Sequence, residues 1–81
     1  MPSYRGMNSY HHGQAVDAST PTAFPPCDAI LVIAGGADED ITFKSGTTVE
    51  GFNLSNVPSG TVIPISATLI AGAGTYAALY E

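Results

Sequence analysis

Short hydrophobic runs separated by glycine turns make up the chain after residue 27. Residues 28–34, DAILVIA, are a continuous apolar run, which is typical of a strand covered on both faces. Residues 40–44, DITFK, alternate instead, which places Ile41 and Phe43 on one face of a half-buried strand. The hydrophobic pattern in this part of the chain therefore predicts β-strands, and no segment has a convincing helical period.

The next predicted strand changes phase in its middle. Residues 47–54, TTVEGFNL, begin with Val49 pointing inward, and then Phe52 and Leu54 point inward. Gly51 lies where the phase changes, which indicates a β-bulge because one extra residue shifts every later side chain to the other face.

Two prolines lie around the following strand, in residues 56–66, NVPSGTVIPIS. Pro58 fits the second position of a turn that ends at Gly60. Pro64 cannot donate a ladder hydrogen bond, so its strand lies at a sheet edge or bends to change sheets. Two more strands are predicted, at residues 67–71 and 75–81. The fold class is all-β, a small antiparallel sandwich or barrel of about six short strands.

The first 26 residues have a different composition. They hold four of the six prolines, both methionines and both histidines, and they show no apolar periodicity. Such a segment buries too little apolar area to offset its ordering entropy. The predicted organisation is an extended N-terminal arm at residues 1–26, laid on a partner, and a β domain at residues 27–81.

Charge and size limit the possible functions. The 81 residues carry a net charge of −5, and Arg5 and Lys44 are the only basic residues, which excludes binding to nucleic acid and to anionic membrane surfaces. No apolar run is long enough for a membrane span, and the N-terminus lacks the apolar region of a signal peptide, so we expect synthesis in a cytoplasm. A single cysteine forms no intrachain disulfide, which leaves self-association or docking as the expected support for so small a core.

Four short pieces near the end of the chain occur in a distinctive order: VPSGT at 57–61, IPI at 63–65, GAGT at 72–75 and ALY at 78–80. Upstream, residues 29–43 read AILVIAGGADEDITF. Together these pieces resemble the head-spike base proteins of tailed phages and of phage-derived gene transfer agents. The family's strand before the last turn usually carries basic residues, and this chain has none there.

The resemblance implies a structural role without catalysis. The protein would form a homo-oligomeric ring of five or three subunits on a capsid vertex and anchor a fibre or spike. Its partners would be copies of itself, capsid protein and fibre protein, and its location the capsid surface of a virion assembled in the host cytoplasm. Two alternatives remain open: a capsid decoration (cement) protein, and a small carbohydrate-binding module, against which the absence of tryptophan counts.

Three features that could carry chemistry have plainer interpretations. The acids at 38–40 could hold Ca²⁺, but the spacing of a calcium loop is absent, and a solvated turn is favoured. His11 and His12 point to opposite sides of an extended segment, so a metal site would need several copies at a symmetry axis. Cys27 has no positive neighbour to activate its thiol and is expected to be a small buried residue. We therefore predict no catalytic residue, no cofactor and no metal ligand, and we expect that the protein is not an enzyme.

The predicted partner contacts are aromatic, histidine, methionine and arginine side chains on the arm and the last strand, because such side chains are enriched at protein interfaces. The predicted contact residues are Tyr4, Arg5, Met7, Tyr10, His11, His12, Phe24, Tyr76 and Tyr80.

Overall fold

The computed structural model describes residues 10–81, which form seven strands and no helix. In chain order the strands are β1 (His12–Asp17), β2 (Ala29–Ala34), β3 (Glu39–Phe43), β4 (Thr48–Phe52), β5 (Val62–Ile63), β6 (Ala67–Ala71) and β7 (Thr75–Tyr80). They build a four-stranded sheet in the order β1-β7-β2-β5 and a three-stranded sheet in the order β4-β3-β6. All pairings are antiparallel, so the predicted all-β sandwich is confirmed. Within residues 10–81 there is no helix of the length and apolarity that a membrane span requires.

The core lies between the two sheets, as the alternation of side chains in paired strands requires. In the four-stranded sheet, Ile30 and Val32 of β2 are paired with Ala78 and Tyr76 of β7, and all four are buried. The three-stranded sheet contributes Ile41, Ala67 and Ile70 from the opposite side. Leu54, Cys27, Phe24, Ala18 and Val16 complete the cluster.

The segment before Cys27 belongs partly to the fold, which corrects the predicted boundary at residues 26 and 27. Its residues 12–17 form β1, which pairs along its whole length with β7. Val16, Ala18 and Phe24 are buried in the core. The composition concealed this because β1, HGQAVD, is an edge strand with one large aliphatic residue, and its order comes from pairing rather than from its own hydrophobic pattern.

The predicted bulge at Gly51 is confirmed. Ile41 pairs with Val49 and Glu39 with Phe52, so two residues of β4 lie opposite one residue of β3. Gly51 has a φ of 80°, a left-handed conformation that glycine adopts without steric cost. Val49 lies opposite the buried Ile41 and so faces the core side of its sheet, as expected, but it remains 41% exposed because β4 is the outer strand.

The prolines position the crossing between the sheets. β5 has only two residues, lies at the edge of the four-stranded sheet and ends before Pro64; the next strand, β6, belongs to the other sheet. Pro64 thus lies both after an edge strand and at a change of sheet. The predicted position of Pro58 is wrong by one residue: its carbonyl accepts the Thr61 N–H at 3.2 Å and the Thr61 hydroxyl at 2.8 Å, so Pro58 is the first residue of the turn.

Candidate interaction surface

Two of the predicted partner contacts are core residues. Phe24 is 5% exposed and Tyr76 is 0% exposed, so neither side chain can reach a partner without unfolding, and these two predictions are wrong. Tyr76 points inward because it is in phase with Ala78 on β7, and Phe24 packs into the core beside β6, where its N–H donates to the Thr68 carbonyl at 2.8 Å.

The other predicted contacts lie at the beginning of β1 or outside the described residues. Tyr4, Arg5 and Met7 fall in the part of the chain that the structure does not describe. Tyr10 is half-buried, whereas His11 and His12 are exposed. Tyr80 is half-buried and its hydroxyl donates to the Pro25 carbonyl at 2.7 Å; burial raises the pKa of this tyrosine. The structure therefore separates the predicted residues rather than gathering them into one patch.

The outward side of the four-stranded sheet is a continuous aliphatic surface that sequence reasoning missed. Ala15 of β1 pairs with Ala77 of β7, Ala77 with Leu31 of β2, and Leu31 with Val62 of β5. Residues directly opposite one another share a face, so these four side chains form one row across the whole sheet. Leu79, in the neighbouring row, and Ile33, at the bulge of β2, extend it. We call these six residues the outer aliphatic face.

Exposure of the outer aliphatic face corrects one expectation. The apolar run at residues 28–34 predicts a strand covered on both faces, yet Ile33 is 44% exposed and Val62, beside Leu31, is 43% exposed. An antiparallel sheet usually has one apolar and one polar face. Here both faces are apolar, so residues 10–81 supply the cover for one of them and leave much of the other open.

One acidic residue borders the outer aliphatic face: Asp17, two residues after Ala15 on β1, pairs with Thr75 in the row next to Ala15 and Ala77. None of the six positions of this face is charged. Asp17, Asp28 and Glu81 lie at the ends of the strands of this sheet, whereas Asp38, Asp40 and Glu50 lie on or next to the three-stranded sheet. An aliphatic surface with a single acid at its margin favours contact with another protein surface over contact with ions or nucleic acid.

Glu39 is the second feature that sequence reasoning missed. The favoured interpretation, a solvated acidic turn at residues 38–40, is wrong for this residue, which is 0% exposed. Oε1 accepts the Ala73 N–H at 2.9 Å; Oε2 accepts the Gly74 N–H at 2.9 Å and the Tyr76 hydroxyl at 2.5 Å. The alternation of residues along β3 could have indicated its burial, because Glu39 is in phase with Ile41 and Phe43.

The surroundings of Glu39 identify it as part of the scaffold. The Tyr76 hydroxyl also accepts the Gly36 N–H at 3.2 Å. Burial raises the pKa of Tyr76 to about 12, and its hydrogen bond to Glu39 acts in the same direction. A β-carbon at Gly36 or Gly72 would overlap the carboxylate, so both positions need glycine. Among residues 10–81 there is no group of three or more His, Cys, Asp or Glu side chains that could hold a metal ion.

Cys27 is buried, as the sequence predicts. Its Sγ lies 3.4 Å from the Ala67 nitrogen, from which it accepts, and 3.5 Å from the Ile65 carbonyl, to which it donates. Burial raises the pKa of this thiol, which disfavours the nucleophilic thiolate. The thiol therefore packs between residues 65 and 67 as a small core group.

Comparison with protein-family models, with curated proteins and with solved structures gives no match. The likeness to head-spike base proteins therefore stays a prediction from the residues quoted above. The geometry contributes a separate observation, a mainly aliphatic sheet face that suits docking against another protein.

Proposed function

We propose that the protein is a virion structural subunit, a head-spike or vertex base protein that docks through the outer aliphatic face. The observation that carries the proposal is the exposure of Ile33 and Val62 on a four-stranded sheet face that is aliphatic apart from Asp17 at its margin. A soluble monomer rarely leaves an extended apolar surface open, and such surfaces mark contacts between proteins. The resemblance of residues 28–80 to head-spike base proteins supplies the particular role.

The chemistry of the surface favours a protein partner over a sugar. Sugar binding relies on exposed aromatic platforms, whereas the large hydrophobic side chains exposed on the described residues are Ile33, Val49 and Val62. Aliphatic side chains of this kind suit contact with copies of the chain, with capsid protein or with fibre protein. A decoration protein that docks singly would use the same face, and the number of copies in solution distinguishes the two roles.

The experiment that tests the proposal compares lysine substitutions at two valines of nearly equal exposure. Val62 is 43% exposed on the outer aliphatic face, and Val49 is 41% exposed on the other sheet. We expect wild-type protein to co-purify with particles from the strain that encodes it. Val62→Lys should reduce the particle-bound amount at least tenfold, because docking would bury its charge, whereas Val49→Lys should behave as wild type.

Two results would refute the proposal. One is a wild-type protein that is absent from purified particles. The other is equal recovery of the Val62→Lys and Val49→Lys proteins, which would show that the outer aliphatic face takes no part. Native mass spectrometry of the purified protein over a concentration series then gives the copy number, with several copies supporting a base ring and a single copy supporting a decoration protein.

A further inference from the structure

β1 has a free hydrogen-bonding edge within the described structure. The Ala18 N–H donates to the Gly74 carbonyl at 3.1 Å, in the same register as the β1–β7 pairing. Hydrogen-bonded and non-hydrogen-bonded pairs alternate along an antiparallel ladder, so the N–H and C=O groups of Gly13 and Ala15 point away from β7. Among residues 10–81 no strand pairs with that side of β1.

The other three sheet edges are blocked or interrupted. β5 is two residues long and is followed by Pro64. β6 is covered, because the Phe24 N–H donates to the Thr68 carbonyl at 2.8 Å and the Cys27 N–H donates to the Ala67 carbonyl at 3.1 Å. β4 is distorted by its bulge. Such devices protect edges against pairing with other chains, and β1, the remaining edge, has neither a proline nor a lysine.

The polar side chains at the two ends of β1 suit pairing with its own copy, because imidazole N–H groups can donate to a carboxylate. Exposed His11 and His12 lie at one end and Asp17 at the other, with no charged residue between them. In an antiparallel pair of identical strands, the histidine end of each copy lies beside the aspartate end of the other. Since the other described edges are blocked or bulged, β1 is also the best strand that a second copy can offer.

We propose that β1 of one copy pairs antiparallel with β1 of a second copy, around a two-fold axis at Gln14. This register places His11 opposite Asp17 of the partner subunit and lets Gly13 and Ala15 form hydrogen bonds across the axis. The two four-stranded sheets then become one sheet of eight strands. The contact is isologous and closes after two copies, so a ring would need a different contact between such pairs.

The pairing enlarges the docking surface. Three strands about 4.8 Å apart and about 20 Å long, with the two-residue β5 beside them, give one copy an outer face of roughly 320 Å². A stable interface buries about 800 Å² on each partner. An eight-stranded sheet presents roughly 640 Å², which brings the outer aliphatic face close to that size. In this respect the inference rests on the proposed function, although the edge contact can be tested without it.

The test uses disulfide formation in the full chain. Gln14 uses its own N–H and C=O for β7, so the two Gln14 residues would form a non-hydrogen-bonded pair with Cα atoms about 4.5 Å apart. That distance lies within the range for a disulfide. We expect Gln14→Cys to oxidise to a covalent dimer at least ten times faster than Thr48→Cys, the control on the edge of the other sheet. Cys27 is buried in both proteins.

A second variant tests the hydrogen bonds. Ala15→Pro removes an N–H that points away from β7, a position at which an edge strand tolerates proline. We expect its circular dichroism spectrum to match wild type and its dimer dissociation constant to rise at least tenfold. Val62→Lys, on the outer aliphatic face, should retain the dimer.

The outcomes separate the two proposals. Three results would each overturn the edge pairing. The first is equal oxidation of the Gln14→Cys and Thr48→Cys proteins, and the second is a mixed disulfide between them. The third is a dimer that survives Ala15→Pro and is lost in Val62→Lys. A confirmed edge dimer that never co-purifies with particles would support the pairing and refute the virion role.

Discussion

Replacing Glu39 with glutamine tests whether its hydrogen-bond network holds the two sheets together. The carboxylate accepts three hydrogen bonds, from the Ala73 N–H, the Gly74 N–H and the Tyr76 hydroxyl. Glutamine has one side-chain oxygen. In its best orientation that oxygen keeps the two donors of Oε2, while its amide group faces the Ala73 N–H, donor against donor.

The expected cost follows from these contacts. A donor left without an acceptor costs about 1–3 kcal/mol, and two hydrogen bonds that lose a charged acceptor weaken by about 1 kcal/mol each. Removing a buried charge offsets part of this. We therefore expect the free energy of unfolding of Glu39→Gln to fall by about 3 kcal/mol, a large share of the about 4–12 kcal/mol typical of an 81-residue domain.

The assay is thermal and urea unfolding followed by circular dichroism, at one protein concentration for all variants. A loss of about 3 kcal/mol lowers the melting temperature of a domain this size by about 12–24 °C. Glu50→Gln is the matched control, because Glu50 is exposed on β4 and the same chemical change there should shift stability by less than about 0.5 kcal/mol. If the two variants unfold alike, the network does not stabilise the fold.

Three further predictions concern the core. Gly72→Ala should destabilise by at least about 2 kcal/mol in urea unfolding, because its β-carbon overlaps the Glu39 carboxylate, whereas Gly13→Ala has room and should stay within about 0.5 kcal/mol; equal effects would contradict this. The pKa of Tyr76 is raised from 10.0 to about 12 in the folded protein. The contribution of the Tyr76 hydroxyl to the free energy of unfolding is therefore fully present below pH 10 and is lost as pH rises from 10 to 12. Tyr76→Phe should be less stable at neutral pH and show less of that alkaline decline, and an unchanged decline would exclude Tyr76 as its cause. Cys27 should react with a thiol reagent at least a hundred times more slowly in the native protein than in urea, and rapid native labelling would show that its site opens.

The strands that carry their own hydrophobic signal could be predicted from the sequence. β2, β6 and β7 match the apolar runs, and the phase change at Gly51 correctly indicated the bulge. β1 could not be found in this way, because its ordering comes from pairing with β7 and a single large aliphatic residue, Val16, faces the core. Local pattern cannot show a partner strand at the other end of the chain.

The candidate surface was harder to predict than the fold. The apolar run at residues 28–34 showed that both faces of its strand are apolar, but the sequence does not show which residues share a face across strands. That information comes from the register, which aligns Ala15, Ala77, Leu31 and Val62. Aromatic content misled the prediction because Phe24 and Tyr76 fill the core.

The central position of β7 determines when the fold can form. β7 is the last of the seven strands along the chain, yet it lies between β1 and β2 in the four-stranded sheet. β1 therefore has no partner until β7 is made, and until then β2 can pair only with the two residues of β5. A chain synthesised from its N-terminus exposes β1 and the apolar β2 until β7 has left the ribosome, and unpaired strands of this kind are prone to aggregation. Folding of the four-stranded sheet is thus expected to be slow, because it depends on pairing between distant parts of the chain.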